Sequence, residues 1–386
     1  MRTLGVGIVG IGWCAAQHIS AFQKNGRAAV LALCGRDERR VRATLERAGI
    51  EPDGARITTR YEDLLEDPSI DIVSVATPNH LHAAQAVAAA RAGKHILLEK
   101  PTGLDEAELA AVRDAVRDAG VTTIVSFELR YNPYLRFVHW LRESGRLGRL
   151  RFARVQYLSR VTDWYAGWDW VRTRESGRSH LLAAGCHAVD ALRWLSGLEP
   201  LEVSARHARF TEGYEWPTTI LANLVLEGGA LGHVTSSTDF MLPYTFGVEL
   251  MGDRATVRDT LIAWGPGEPV DLEALRRANP IEGVTLHAAT YGSGSPAIHI
   301  ESPVMPDTAD VAHHPFQAEI DDLVACVLAG RDTSLNVFDA QKTMEVCLAA
   351  DRSADRDGET IRLPLVAATP ASPVHGRGDA GVAREW

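Results

Sequence analysis

Short apolar runs separated by amphipathic stretches govern the first third of the chain. Leu4–Val9 is the first run, followed by glycines and a helical stretch that takes in 15–22, and 30–34 is the second. Runs at 72–76 and 96–98 lie on either side of an alanine-rich helical stretch around 83–92. Asp105 with Glu108 three residues on reads as a capping box that opens a helix over 106–119, and 121–126 supplies another strand. Apolar strands alternating with helices in this way predict a parallel sheet built from right-handed crossovers.

Beyond residue 126 the pattern changes. The stretches 151–158, 201–210, 218–226, 230–237 and 247–251 alternate or are rich in β-formers, with turns such as Glu227-Gly-Gly and Gly252-Asp253 between them. This predicts a mainly antiparallel open sheet. Helical periodicity returns at 133–143, 181–195, 316–328 and 339–350. The fold class is therefore α/β: a doubly wound parallel sheet over 1–126, an α+β domain over 127–365, and a tail over 366–386 rich in Pro, Gly and Ala, expected to be mobile.

A chain of 386 residues, 46% of them hydrophobic, suffices for two cores. Forty Lys and Arg against fifty Asp and Glu give a net charge of −10 with no basic stripe, which argues against nucleic acid as a partner. Five scattered cysteines include no CxxC pair, so neither a disulfide framework nor a metal site is expected. The opening residues run straight into a strand without a leader pattern, and no apolar stretch is long enough to span a bilayer. A cytoplasmic protein with no membrane partner is the expectation.

The chemistry clusters at the ends of the apolar runs. Gly10-Ile-Gly12-Trp-Cys-Ala15 follows the first strand and opens a helix, the context of a dinucleotide fingerprint, with the helix N-terminus turned to the phosphates. The second strand ends Cys34-Gly35-Arg36-Asp37. Glycine in place of the usual acid, followed by arginine, makes room and charge for a 2′-phosphate and favours NADP over NAD. Asp37 is the counterweight, since it can reach a ribose hydroxyl or simply cap the next helix. Thr77-Pro78-Asn79 ends another strand and faces cofactor ribose or phosphates, or Asn79 caps the helix that follows; Trp13, His82 and Glu99 complete the candidate cofactor set. Glu99-Lys100-Pro101-Thr102 places a lysine at the carboxyl end of a buried strand, where ligands of open α/β sheets bind. Downstream, Gly185-Cys-His187-Ala-Val-Asp190 opens an amphipathic helix with His187 and Asp190 on one face. Histidine is the natural base for a hydroxyl proton near neutral pH.

This ordered set, Gly10/Gly12/Ala15, Thr77-Pro78-Asn79-His80, Glu99-Lys100-Pro101 and Gly185-x-His187-x-x-Asp190, resembles the glucose–fructose oxidoreductase / inositol dehydrogenase / MocA family over nearly the whole chain outside the tail. The resemblance implies a Rossmann domain, a second domain whose open sheet joins a homodimer or homotetramer, and hydride transfer between nicotinamide and a carbohydrate or cyclitol carbon. It implies Lys100 on the reacting oxygen and His187 as acid/base. Many members carry an aspartate four residues before the histidine; here Ala183 stands there, so Lys100 and His187 suffice or His180 or Asp190 substitutes. Trp164, Tyr165, Trp168, Trp170 and Arg172 form a candidate sugar-binding stretch, or fill a seam between domains. Arg130 and the pair His313-His314 are further candidates for the cleft. Two other functions stay open: a glycoside-cleaving enzyme that works by transient oxidation on a tightly held NAD(H), and a non-catalytic dinucleotide sensor.

Overall fold

The structure is a computed structural model and describes residues 2–160, 168–241, 244–266, 268, 270–292, 294–305 and 314–365. Strands β1 (Leu4–Val9), β2 (Ala28–Cys34), β3 (Arg56–Thr58), β4 (Ile72–Val75), β5 (His95–Leu98) and β6 (Thr123–Val125) form a parallel sheet in the order β3-β2-β1-β4-β5-β6. Ile8 of β1 sits opposite Leu33 of β2 on one side and Ser74 of β4 on the other. The winding reverses at β1, so a crevice opens at the carboxyl ends of β1 and β4. All six residues of β1 are buried, as expected of a strand covered on both faces.

Helices α1 (Trp13–Lys24), α2 (Glu38–Ala48), α3 (Glu62–Leu65), α4 (Asn79–Arg91) and α5 (Glu106–Ala119) connect these strands. The side chains of Asp37 and Asp105 cap α2 and α5 by accepting from the N–H of Arg39 and Glu108, and left-handed Gly49 and Gly120 end them. The expected box at α5 closes one residue early, since Glu108 Oε2 accepts from the N–H of Leu104 at 2.6 Å. The edge strand β3 and the short α3 carry too few apolar residues to show in the pattern.

After β6 come a 3₁₀ turn over Glu128–Tyr131 and α6 (Pro133–Glu143), which starts on the Asn132 side chain. The second sheet comprises β7 (Leu150–Leu158), β8 (Pro200–Ala208), β9 (Thr219–Leu226), β10 (Leu231–Ser237), β11 (Thr245–Gly252), β12 (Ala255–Arg258), β13 (Leu261–Trp264), β14 (Thr285–Tyr291), β15 (Ser295–Glu301) and β16 (Ile361–Arg362). Its order is β14-β15-β13-β12-β11-β7-β10-β9-β8-β16, antiparallel apart from β7 beside β10. Its further helices are α7 (Trp168–Val171), α8 (Cys186–Ser196), α9 (Leu272–Ala278), α10 (Phe316–Ala329) and α11 (Val337–Asp355). Helix α8 packs on β7 and β10, and α11 packs on β8. The other face is open and exposes Leu221, Val225 and Leu231.

The helix expected over 181–195 divides: a π-helical stretch over Leu181–Gly185 runs into α8. A Cβ on Gly185 would come within 2.1 Å of Ser236 Oγ on β10, so only glycine lets this start sit on the sheet. The end of the chain returns to the first domain. Helix α10 packs along α1, Val125 N–H donates to Leu335 O at 2.9 Å, and Thr333 Oγ1 donates to Thr123 O at 2.7 Å. That return brings Glu319 and His314 to the ends of the parallel strands. Among the described residues no helix is long and apolar enough to cross a membrane, and no group of three His, Cys, Asp or Glu residues is placed to hold a metal ion.

Candidate active site

The crevice at the switch point is a cleft of about 630 Å³ lined by Gly10, Gly12, Trp13, Arg36, Asp37, Thr77, Pro78, Asn79, His82, Glu99 and Lys100, with Trp170 and Ala183 closing it from the second domain. Gly10 has φ of +89°, and a Cβ there would lie 2.2 Å from Ala76 O. Only glycine makes that turn. Gly12 has open space beside it, no side chain caps α1 and no acid occupies its first turn, leaving backbone N–H groups and a positive helix end for a diphosphate. Ala15 is fully buried, which lets α1 approach the sheet. Asn79 does not cap α4, because Pro78 holds that position; its buried Nδ2 has no hydrogen-bond partner. An orphaned amide on a nucleotide-sized cleft fits a ligand contact. Thr77 Oγ1 donates to Gln85 Oε1 at 2.6 Å. The His82 ring nitrogens lie 2.7 and 2.8 Å from the carbonyls of Thr77 and Pro101, tying the loop after β4 to the loop that carries Lys100.

Lys100 follows β5 and donates to the carbonyl of Ala183 at 3.2 Å. The position that lacks the family aspartate therefore still holds the lysine, through its backbone. Burial pushes the Lys100 ammonium toward neutrality, but Cys186, Glu99 and Tyr157 outweigh it and hold its pKa above the ordinary value. Of these three, Glu99 is the one charged at neutral pH, because burial pushes the Cys186 thiol and the Tyr157 phenol up to about 12. Burial also opposes the charge of Glu99, whose Oε1 lies 3.3 Å from His18 Nε2; His18 and Lys100 prevail and hold its carboxyl below the usual range.

His187 lies in the first turn of α8, with only 3% of its surface exposed. Burial pushes its pKa down to about 4, Glu128 opposing and Lys100 and His314 reinforcing the fall. The charge of Lys100, 87 positions earlier, thus reaches His187, although the cleft's lining includes Lys100 and Ala183 but not His187. A neutral imidazole beside an ammonium can accept a proton while the ammonium steadies the oxygen left behind.

Other candidates lie elsewhere. Arg130 binds Asp190 at 2.7 and 2.5 Å and Asp339 at 2.6 Å, so this pair clasps the turn after β6 to α8 and α11. His180 is buried, with Nδ1 2.7 Å from Ser236 Oγ and Nε2 3.3 Å from Ser159 Oγ, and burial pushes it down to about 3. Asp190 is thus engaged by Arg130, and His180 by two serine hydroxyls. Arg172 Nε donates to Gly213 O at 2.7 Å. Trp168 opens α7, while Trp164, Tyr165, His313 and the tail lie outside the described residues.

The sequence reading missed three buried acids and bases at this site. Glu128, in the turn after β6, accepts from His314 Nδ1, and its Oε1 lies 3.9 Å from His187 Nε2. Burial opposes its charge, but His187, His314 and Lys100 hold its carboxyl well below the usual range. Glu319 of α10 accepts from Ser126 Oγ at 3.1 Å, and burial with Glu128 and Glu99 nearby pushes it well above that range. His18 binds Ser74 across β4 at 2.9 Å. An acid just past Val125-Ser-Phe was the available signal for Glu128; nothing local marks Glu319 or His18.

Residues 4–127 match the family described as "Oxidoreductase family, NAD-binding Rossmann fold", and residues 135–258 match the "GFO/IDH/MocA C-terminal domain". The chain is 33% identical over 230 residues to levoglucosan dehydrogenase of Pseudarthrobacter phenanthrenivorans, covering 58% of this chain and 53% of that protein. The chain thus spans about half the length of that relative. It is 33% identical over 240 residues to D-xylose 1-dehydrogenase (NADP(+)) 2 of Haloferax volcanii, covering 62% of this chain and 68% of that one. A solved structure titled as a levoglucosan dehydrogenase complex with NADH superposes with a TM-score of 0.77 at 21% identity, over 95% of this chain and 100% of that one. With both halves matched in order around one shared crevice, the chain belongs to the Gfo/Idh/MocA family of oxidoreductases.

Proposed function

We propose that the protein is an NAD(P)-dependent dehydrogenase or reductase acting on a secondary alcohol or ketone of a sugar, glycoside or inositol. The observation that carries this is that Lys100 lines the nucleotide cleft, reaches the Ala183 carbonyl of the second domain, and acts electrostatically on buried His187. The nicotinamide, when bound, supplies the hydride acceptor or donor. The chain supplies the rest. The Gly10–Gly12 turn and the start of α1 hold the diphosphate, the Lys100 ammonium binds the reacting oxygen, and neutral His187 takes the hydroxyl proton during oxidation. Sugar-type substrates are supported by the two dehydrogenase relatives and by Trp170 at the rim of the cleft.

NADP is the favoured cofactor. Arg36 and Arg40 line the cleft beyond β2, a Cβ on Gly35 would lie 2.6 Å from Val41 Cγ2, and the Asp37 carboxylate is engaged as a helix cap. An acid at position 35 has no room, and the neighbouring charge is positive. The test is reduction of NADP+ and NAD+ by the purified protein across a panel of sugars, glycosides and inositols. Stoichiometric reduced cofactor with a keto product supports the proposal; cofactor binding without turnover on every polyol and every matching ketone refutes it. Sugar release from glycosides with no net reduced cofactor would support transient oxidation instead.

A further inference from the structure

His82 lines the nucleotide cleft from α4 and is buried, and its ring meets two acceptors. Nδ1 lies 2.8 Å from the carbonyl oxygen of Pro101, and Nε2 lies 2.7 Å from that of Thr77. Carbonyls only accept hydrogen bonds. A neutral imidazole carries one N–H and an imidazolium two, so the neutral ring serves one carbonyl and turns a lone pair toward the other. At these separations each nitrogen needs its own N–H, and both bonds form at once only on the doubly protonated ring. The two carbonyls belong to different loops. Thr77 begins the stretch Thr77-Pro78-Asn79 that lines the cleft after β4, and Pro101 is joined directly to Lys100 after β5. Of the charged groups that act on the ring, Glu99 favours the second proton and Lys100 opposes it, both from the end of β5. The acids at the start of α5, which packs along α4, are engaged elsewhere: Asp105 and Glu108 in the cap, Glu106 with Arg352. On α4 itself His80 is exposed. Burial outweighs the two carbonyl bonds and Glu99 and holds the pKa of His82 below the ordinary value of a histidine. At neutral pH the ring therefore carries one proton, and acidification adds the second.

We propose that His82 is a proton-operated clasp and, through it, the positioning residue for Lys100. With two protons the ring joins the loop after β4 to the loop after β5; with one it holds a single loop and releases the other. The second proton comes from solvent by way of the cleft that the ring lines. The closed clasp fixes the backbone at Pro101, and with it the root of the Lys100 side chain, against the loop that lines the nucleotide cleft. The far end of that side chain is held by the Ala183 carbonyl at 3.2 Å, so the lysine is then anchored at both ends of its stem. Protonation adds one bond from a charged donor, which favours the joined loops over the parted ones on the order of tenfold. The clasp rests on the ring's geometry. Its bearing on turnover rests on Lys100 binding the reacting oxygen of the proposed dehydrogenase.

The experiment compares the wild type with His82→Gln between about pH 8 and about pH 4.5, the range in which a buried histidine titrates. NMR of protein carrying ¹⁵N-labelled histidine reads the proton on each ring nitrogen, the variant identifying the His82 signals. Hydrogen exchange, corrected for its intrinsic pH dependence, reads the backbone over 77–82 and 99–104. The wild type is expected to show one ring N–H at the upper pH and two at the lower. Exchange in both loops should slow on the order of tenfold as the second proton binds. His82→Gln, whose amide donates but does not titrate, should show no such step. In turnover, the ratio of wild-type to His82→Gln kcat for oxidation should rise on the order of tenfold across the same step, protonation of His187 cancelling in the ratio. A ring with both protons at about pH 8, or with only one at about pH 4.5, overturns the proposal. So does a ring that titrates with loop exchange unchanged, a variant that keeps the step, or a flat kcat ratio. If no substrate turns over while ring and loops respond together, the dehydrogenase reading fails alone and the clasp stands. If His82→Gln does not fold, triple-resonance assignment of the wild type identifies the ring, and its titration with the loop exchange decides the matter.

Discussion

Protonating His187 should stop the oxidation, and the structure says at what pH. Burial takes its pKa from 6.5 to about 4, a displacement worth about 3 kcal/mol in favour of the neutral ring. At pH 5 roughly 90% of His187 is then neutral, where an ordinary histidine would be about 3% neutral, a difference of roughly 30-fold in active base. The sign follows from the shift. A histidine whose folded value is depressed keeps its base form as the pH falls and loses it only near about 4. The assay is kcat/KM for substrate oxidation against pH at constant ionic strength, read by reduced-cofactor absorbance, with circular dichroism confirming that the chain stays folded. The acidic limb should be centred near pH 4, and His187→Gln should lose on the order of 100-fold or more across the profile. A limb centred between about pH 6 and 7 would refute the reasoning, because it would mean that solvent reaches the ring.

Arg36→Ala should weaken NADP+ binding on the order of tenfold or more and leave NAD+ binding nearly unchanged, as read by nucleotide titration; equal losses for both cofactors would place Arg36 outside the 2′-phosphate subsite. Arg130→Ala leaves Asp190 buried without its partner and should cost about 3–5 kcal/mol in urea unfolding, with nucleotide affinity retained; a loss of substrate affinity without loss of stability would return Arg130 to the cleft. Burial pushes Asp351 of α11 from 3.8 to about 6, so the wild type loses about 3 kcal/mol relative to Asp351→Asn as pH rises from about 4 to 7. A raised carboxyl binds its proton more tightly when folded, and its stabilising contribution goes as pH climbs through that window; parallel melting curves for the two proteins at both pH values would contradict the burial argument.

Local order along the chain was enough to establish much of the first domain. The unbroken apolar runs at 4–9 and 96–98 could only be buried strands, and the Gly10–Gly12 turn declared both its geometry and its ligand class, because a backbone at φ of +89° needs glycine wherever it occurs. The starts of α2 and α5 were equally legible, since capping is a contact between residues two or three apart. Strands β12–β15 were not: they are short, and β14 is exposed at most positions apart from buried Leu286, so no period-two pattern marked them. Tertiary packing decided what contacts at long separation decide. Arg130 and Asp190 each read plausibly as substrate ligands and became one another's partners, 60 positions apart. His314 and Glu319 reach Glu128 because α10 folds back along α1, and there burial raises Glu319 while neighbouring histidines and Lys100 hold Glu99 and Glu128 down, so three carboxyls of the same intrinsic acidity shift in opposite directions. Sequence alone carried the nucleotide turn and the residue types of the chemistry; which acid stays charged beside which base depends on desolvation, and desolvation belongs to the assembled core.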